Sequence, residues 1–143
     1  MKLYLDTNIL VFSFLNREEL SIEVKELMEG YANILQTSIL CVHELIHLCQ
    51  IGKLEEGKKK RRNVMLRPEE ILERIEDVGI EIVPVSKRHL SVYASLPLMD
   101  DHKDPVDRLI IAQAIADRTA LISSDRKFSK YKDVGLDFIY NER

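Results

Sequence analysis

Short apolar runs of strand length alternate with helical stretches along the whole chain. That alternation predicts an α/β fold, a three-layer α/β/α sandwich around a central parallel sheet. A length of 143 residues suits one domain with one core, spanning residues 1–143. Acidic residues also stand just beyond two of the strand-like runs, where an open parallel sheet binds its ligands.

The opening run Lys2 to Leu5 reads as a short buried strand closed by Asp6-Thr7-Asn8, with Asn8 as N-cap of a helix from Ile9 to Leu15. A second helix is expected over Glu18 to Glu29, with Leu20, Val24, Leu27 and Met28 on one face and Gly30 as its stop. Asn33 to Gln36 reads as a strand, and Thr37-Ser38 starts a helix through Glu44 to about Ile51. A break in composition follows from Gly52 to Arg67. Pro68 then opens a helix to Val78, Gly79 closes it, and Ile80 to Val85 is strand-like. Ser86 caps a helix to about Ser95, and the loop Leu96 to Lys103 leads to Asp104-Pro105, which opens an apolar helix through Ala116. Ala120 to Ser123 and Asp137 to Tyr140 complete the strands. No repeat, low-complexity tract or linker interrupts the pattern.

The composition excludes some classes. Apolar and charged fractions of 45% and 31% are those of an ordinary soluble globular protein, not of a membrane or disordered one. No apolar run approaches the ~20 residues that span a bilayer. The N-terminus has one lysine before a strand-like run ended by Asp6, so no secretory signal is expected and the protein is read as cytoplasmic. Cys41 and Cys49 fall on one expected helix, roughly 12 Å apart and beyond disulfide reach, and are expected to be reduced and buried. A formal charge of −3 gives no overall argument for nucleic acid. A local basic run does exist: Lys58-Lys59-Lys60-Arg61-Arg62, flanked by Lys53 and Arg67. It reads either as solvated surface or as a phosphate-backbone contact.

The chemistry centres on four acids. Asp6 ends the first strand, Glu44 lies in the third helix, Asp107 is in the first turn of the apolar helix, and Asp125 closely follows Ala120-Leu121-Ile122. Carboxylates brought together repel one another and need divalent cations between them or raised pKa values. Their joint placement suggests a metal-dependent hydrolase. Each acid also has a structural explanation. Asp6 and Asp125 fit turns, and Asp104 as N-cap with Pro105 at N1 and Asp107 at N3 is a sound helix start.

His43-Glu44-Leu45-Ile46-His47 offers a competing site. It matches H-E-x-x-H, in which two histidines one turn apart bind zinc and the glutamate acts as base, so a zinc metallopeptidase is the alternative function. The extended motif would continue with a glycine and a third histidine, where this chain has Gln50 and Lys53. Glu69, Glu70 or Glu73 could supply a third ligand, but the zinc reading leaves Asp6, Asp107 and Asp125 unexplained. A haloacid-dehalogenase-like phosphatase would need a second aspartate at the position of Asn8.

Leu5-Asp6-Thr7-Asn8-Ile9-Leu10 resembles the opening signature of PIN domains. The segment from His102-Lys103-Asp104-Pro105-Val106-Asp107-Arg108 through Ala114 is similar to that of VapC-type toxins of bacterial toxin–antitoxin pairs. Leu121-Ile122-Ser123-Ser124-Asp125 resembles the family's strand-end Ser/Thr-x-Asp, and Glu44 matches the glutamate after the second strand. The motifs keep family order over nearly the whole chain, and the basic segment after Gly52 fits the pattern least. The resemblance implies a ribonuclease dependent on Mg²⁺ or Mn²⁺, with Asp6, Glu44, Asp107 and Asp125 as its catalytic, metal-holding acids. Asn8 and Ser123 are implied as supporting residues, with Asp104 as a further candidate. It also implies an RNA substrate, a homodimer, and a small antitoxin that blocks the site.

Overall fold

The computed structural model describes residues 1–54 and 66–143. Its strands are β1 (Lys2–Leu5), β2 (Ile34–Ser38), β3 (Glu81–Val83), β4 (Ala120–Ser123) and β5 (Phe138–Tyr140). They form one all-parallel sheet in the order β3-β2-β1-β4-β5. β1 is central: Leu3 lies opposite Leu35 on one side and Ala120 on the other. A strand in that position is covered on both faces, and Leu3, Tyr4 and Leu5 are all buried. The α/β/α sandwich expected from the alternation is the fold observed.

The helices are α1 (Thr7–Leu15), α2 (Ile22–Glu29), α3 (Ile39–Gln50), α4 (Ile71–Asp77), α5 (Lys87–Ser95) and α6 (Pro105–Asp117). From β1 through β2 to β3 the chain steps one way, then returns across the sheet to β4 and continues to β5. Right-handed crossovers therefore put α1 to α4 on one face and α5 and α6 on the other. The packing agrees, since α1 meets α3, α3 meets α4, and α5 lies along α6. The direction reverses between β1 and β4, and a parallel sheet opens its ligand crevice at such a switch point.

Several boundaries differ from the sequence reading, each for a local reason. Asp6, not Asn8, caps α1: its Oδ1 accepts from the Thr7 backbone N at 2.8 Å. The stretch from Glu18 to Glu29 is not one helix. A 3₁₀ turn at Arg17–Glu19 comes first, Leu20 dips into the core, and Ser21 caps α2 by accepting from Val24 N. β2 runs on to Ser38 because Gln36, Thr37 and Ser38 pair with β3. β3 stops at Val83, before Pro84, which has no N–H to offer a ladder. Pro68–Glu70 forms a 3₁₀ turn ahead of α4, and Arg126–Val134 winds as a 3₁₀ segment after β4. Both cysteines lie on α3, but only Cys41 is buried; Cys49 is half-buried and donates its thiol to Leu66 O at 2.7 Å.

Candidate active site

The structure brings Asp6, Glu44, Asp107 and Asp125 together on the wall of one cavity of about 350 Å³. Thr7, Asn8, Lys53 and Arg143 share that wall. The cavity opens at the switch point, between the carboxyl ends of β1 and β4.

Asp6 is placed by the sheet itself. Its backbone N donates to Ile122 O at 3.0 Å, extending the ladder between β1 and β4 by one residue. Its buried carboxylate accepts from Thr7 N on Oδ1 and from Ser123 Oγ on Oδ2, the latter at 2.7 Å. The buried Cys41 thiol approaches Oδ1 at 3.8 Å. Ser123 accepts as well as donates, taking the Asp125 backbone N at 3.0 Å and Asn8 Nδ2 at 3.2 Å. Asn8 in turn accepts from Ser124 N at 3.1 Å. The first turn of α1 and the loop after β4 are thereby tied across the switch point. Asp125 caps the next segment by accepting from Lys127 N at 3.0 Å.

Glu44 enters from α3 and is oriented by Thr7, whose hydroxyl donates to Oε2 at 2.7 Å. Asp107 enters from the first turn of α6, where Asp104 accepts from the backbone N of Val106 and Asp107 at 2.9 and 3.1 Å. Asp104 is exposed and absent from the cavity wall, so its role here is to start the helix that carries Asp107. His43 and His47 are exposed on α3 and neither lines the cavity that Glu44 faces. The basic run Lys58 to Arg62 lies outside the described residues.

The electrostatics are those of crowded like charges. Burial pushes the Asp6 carboxyl up to about 7; Ser123 and Thr7 N oppose the rise, and the nearby Asp107 and Glu44 charges add to it. Burial, then the charges of Asp104, Glu44 and Asp125, push Asp107 up to about 6 against the opposing effect of His102. An oxygen-rich cluster that resists ionisation without a counter-charge has the donor chemistry of a hard divalent cation site. The donors present fit such an ion.

Two residues at the site escaped the sequence reading. Thr7 looked like turn chemistry, yet its hydroxyl positions Glu44. His102 is buried beside Asp107, with Nε2 at 3.4 Å from Oδ2, and its ligand atom clusters with those of Asp107 and Asp125. The available signal was the spacing of His102 five residues ahead of Asp107 across a helix start.

No curated protein matches the chain in sequence. Among solved structures it is similar to a chain of the VapBC2 complex of Rickettsia felis bound to a promoter DNA fragment, at 20% identity and a TM-score of 0.64, covering 99% of this chain and 100% of that one. A chain of DNA-bound VapBC from Salmonella typhimurium matches with a TM-score of 0.64 at 20% identity, with 98% of each chain covered. One from VapBC-1 of nontypeable Haemophilus influenzae gives 0.62 at 18% identity, again over 98% of each. These likenesses show the fold. The family model for the PIN domain matches residues 3–134, which include all four acids of the cavity, and the chain belongs to the PIN domain family.

Proposed function

We propose that this protein is an endoribonuclease that cuts RNA phosphodiester bonds with Mg²⁺ or Mn²⁺, the toxin of a VapBC-type pair. The observation that carries the reading is the convergence of Asp6, Glu44, Asp107 and Asp125 on one cavity at the switch point. PIN domains are typically nucleases, and the resemblance of the His102 to Ala114 segment to VapC-type toxins points to RNA as substrate.

The four acids are the residues that would hold the cation. When bound, it supplies Lewis-acid polarisation of a phosphoryl oxygen, and of water as nucleophile, at neutral pH. The chain's own contribution is preorganisation. Ser123, Thr7 N and Asn8 fix the Asp6 carboxylate, and the Thr7 hydroxyl fixes Glu44, so these oxygens need little rearrangement to act together. Lys53 gives the wall positive charge to meet phosphates that the acids would otherwise repel, while Arg143 on the same wall is paired with Glu19 at 2.9 Å. A small antitoxin covering the cavity, a homodimer and a cytoplasmic location complete the proposal. No helix among the described residues is long and apolar enough to cross a membrane.

Purified protein incubated with structured and single-stranded RNA should cut both or one of them with Mg²⁺ or Mn²⁺ and stop with chelator. Equal cleavage in excess chelator overturns the proposal.

A further inference from the structure

His102 is 4% exposed, and its ring packs edge-on against Phe128 and Tyr131. Nδ1 lies 2.7 Å from the Tyr131 hydroxyl, which itself reaches toward the His102 carbonyl at 3.5 Å. With Nδ1–H donated to the Tyr131 oxygen and the tyrosine proton aimed at that carbonyl, Nε2 presents a lone pair. Nε2 is buried and has no hydrogen-bond partner among the described residues, although Asp107 Oδ2 is only 3.4 Å away. Buried polar nitrogens are rarely left without a partner, and one placed against carboxylates calls for an explanation.

A cation is that explanation. Ligand atoms of His102, Asp107 and Asp125 lie within 4.8 Å of one another. Donors around a divalent ion at ~2.1 Å stand roughly 3–4 Å apart, within a small side-chain adjustment of this spacing. We propose that His102 Nε2 is a ligand of the cation held by Asp107 and Asp125, a nitrogen donor that biases the site toward Mn²⁺ over Mg²⁺. Mg²⁺ prefers oxygen and water, whereas imidazole suits the first-row transition ions. Tyr131 then acts at one remove, holding the ring and its tautomer as outer partners of metal-bound histidines do. The inference rests on the reading that the acids bind a divalent cation.

Pulsed EPR of Mn²⁺ bound to the full chain, prepared with natural-abundance and with ¹⁵N-labelled histidine, tests it directly. Isotope-dependent nitrogen coupling is expected, and it should persist in a His43→Gln, His47→Gln variant. The one other histidine, His89, meets Asp117 at the far end of α6. In calorimetric titrations, His102→Gln should weaken Mn²⁺ binding about tenfold and Mg²⁺ binding less than about twofold. Absence of histidine coupling in the wild type overturns the inference, even if His102→Gln fails to fold; so does an equal loss for both ions. Coupling without RNA cleavage would sink the proposed ribonuclease and leave this ligand standing. Cleavage with Mg²⁺ but no coupling would do the reverse.

Discussion

Asp6 and Asp117 are carboxylates at opposite ends of the sheet, and the chain treats them in opposite ways. Asp117, the last residue of α6, is met by the Tyr4 hydroxyl at 2.5 Å, by His89 Nε2 at 2.9 Å and by the Arg88 guanidinium. Burial alone would raise its pKa, but hydrogen bonds from Tyr4, His89 and Arg88 hold it below the usual carboxylate range. Asp6 has polar neighbours too, yet its burial pushes the pKa up, and the charges beside it, those of Asp107 and Glu44, add to the rise instead of opposing it. A structural carboxylate arrives with its counter-charges built in. A cluster of carboxylates facing one another has left its counter-charge to be supplied from outside. The contrast separates an acid that holds the fold from acids that fit the proposed cation site.

The strongest way to break the comparison is to neutralise each acid in turn. Asp6→Asn should lower the RNA cleavage rate by at least about 100-fold, since it removes a charge from the proposed cation site. It should also raise the melting temperature of the metal-free protein, by on the order of 1 kcal/mol in stability. Mg²⁺ or Mn²⁺ should stabilise the wild type by mass action and the mutant far less. Thermal melts with chelator and with metal would settle the point; a destabilised mutant that gains as much from metal as wild type makes Asp6 a mere helix cap.

Asp117→Ala should do the reverse. It strands the Tyr4 hydroxyl and His89 Nε2, at a cost of about 2 kcal/mol, with the cleavage rate per folded molecule unchanged. Denaturant melts beside specific activity check it, and a loss of metal response in this variant would erase the distinction between the two ends.

pH should pull the two ends apart. The Asp6 and Asp107 carboxyls sit at about 7 and about 6 in the folded protein, against an ordinary value of 3.8. Over that window the native state binds more protons than the unfolded chain. Metal-free stability should therefore fall as pH rises from about 4 to 7, by up to ~1.4 kcal/mol per pH unit for each proton involved. Saturating Mn²⁺ should cancel or invert the trend, because it replaces those protons. Asp117, with its pKa lowered from 3.8, contributes stability above that value that is lost as pH falls below it. Chemical denaturation across pH 4 to 8, with and without metal, would show the crossing; identical curves would mean that the cavity acids do not act as a cation site.

The smallest expected effect is at Lys53. If it meets phosphate at the cavity wall, Lys53→Gln should weaken RNA binding a few-fold and reduce the slope of log affinity against log salt by about one. An unchanged slope would place the backbone contacts elsewhere.

Much of this was legible in sequence because it is local. Leu3 to Leu5 and Ala120 to Ser123 are short apolar runs that only a buried strand accommodates, and Asp104-Pro105 is a helix start by its own chemistry. The misreadings needed partners distant in sequence. Whether Asp6 or Asn8 caps α1 depends on Ser123 and Ser124 drawing the Asn8 side chain across to β4. The break at Ser21 depends on Asn141, whose Oδ1 accepts from Ser21 N at 2.7 Å. The four acids could be nominated from strand ends and family order. That Thr7 orients Glu44 is a fact of tertiary packing; the place of His102 five residues ahead of Asp107 could be read from the chain, but its unused nitrogen could not.

The bond from Ser123 to Asp6 joins residues 117 positions apart. On a ribosome that emits the chain from its N-terminus, Asp6 appears early but cannot be seated until β4 has emerged and paired with β1. Asp107 and Asp125 also come late. The cavity is thus completed only after Asp125 has emerged, and a chain broken off before Ser123 has neither the ladder nor the hydroxyl that fixes Asp6. If the protein cuts RNA as proposed, this topology keeps it inactive toward the message that encodes it until β4 has emerged and paired with β1.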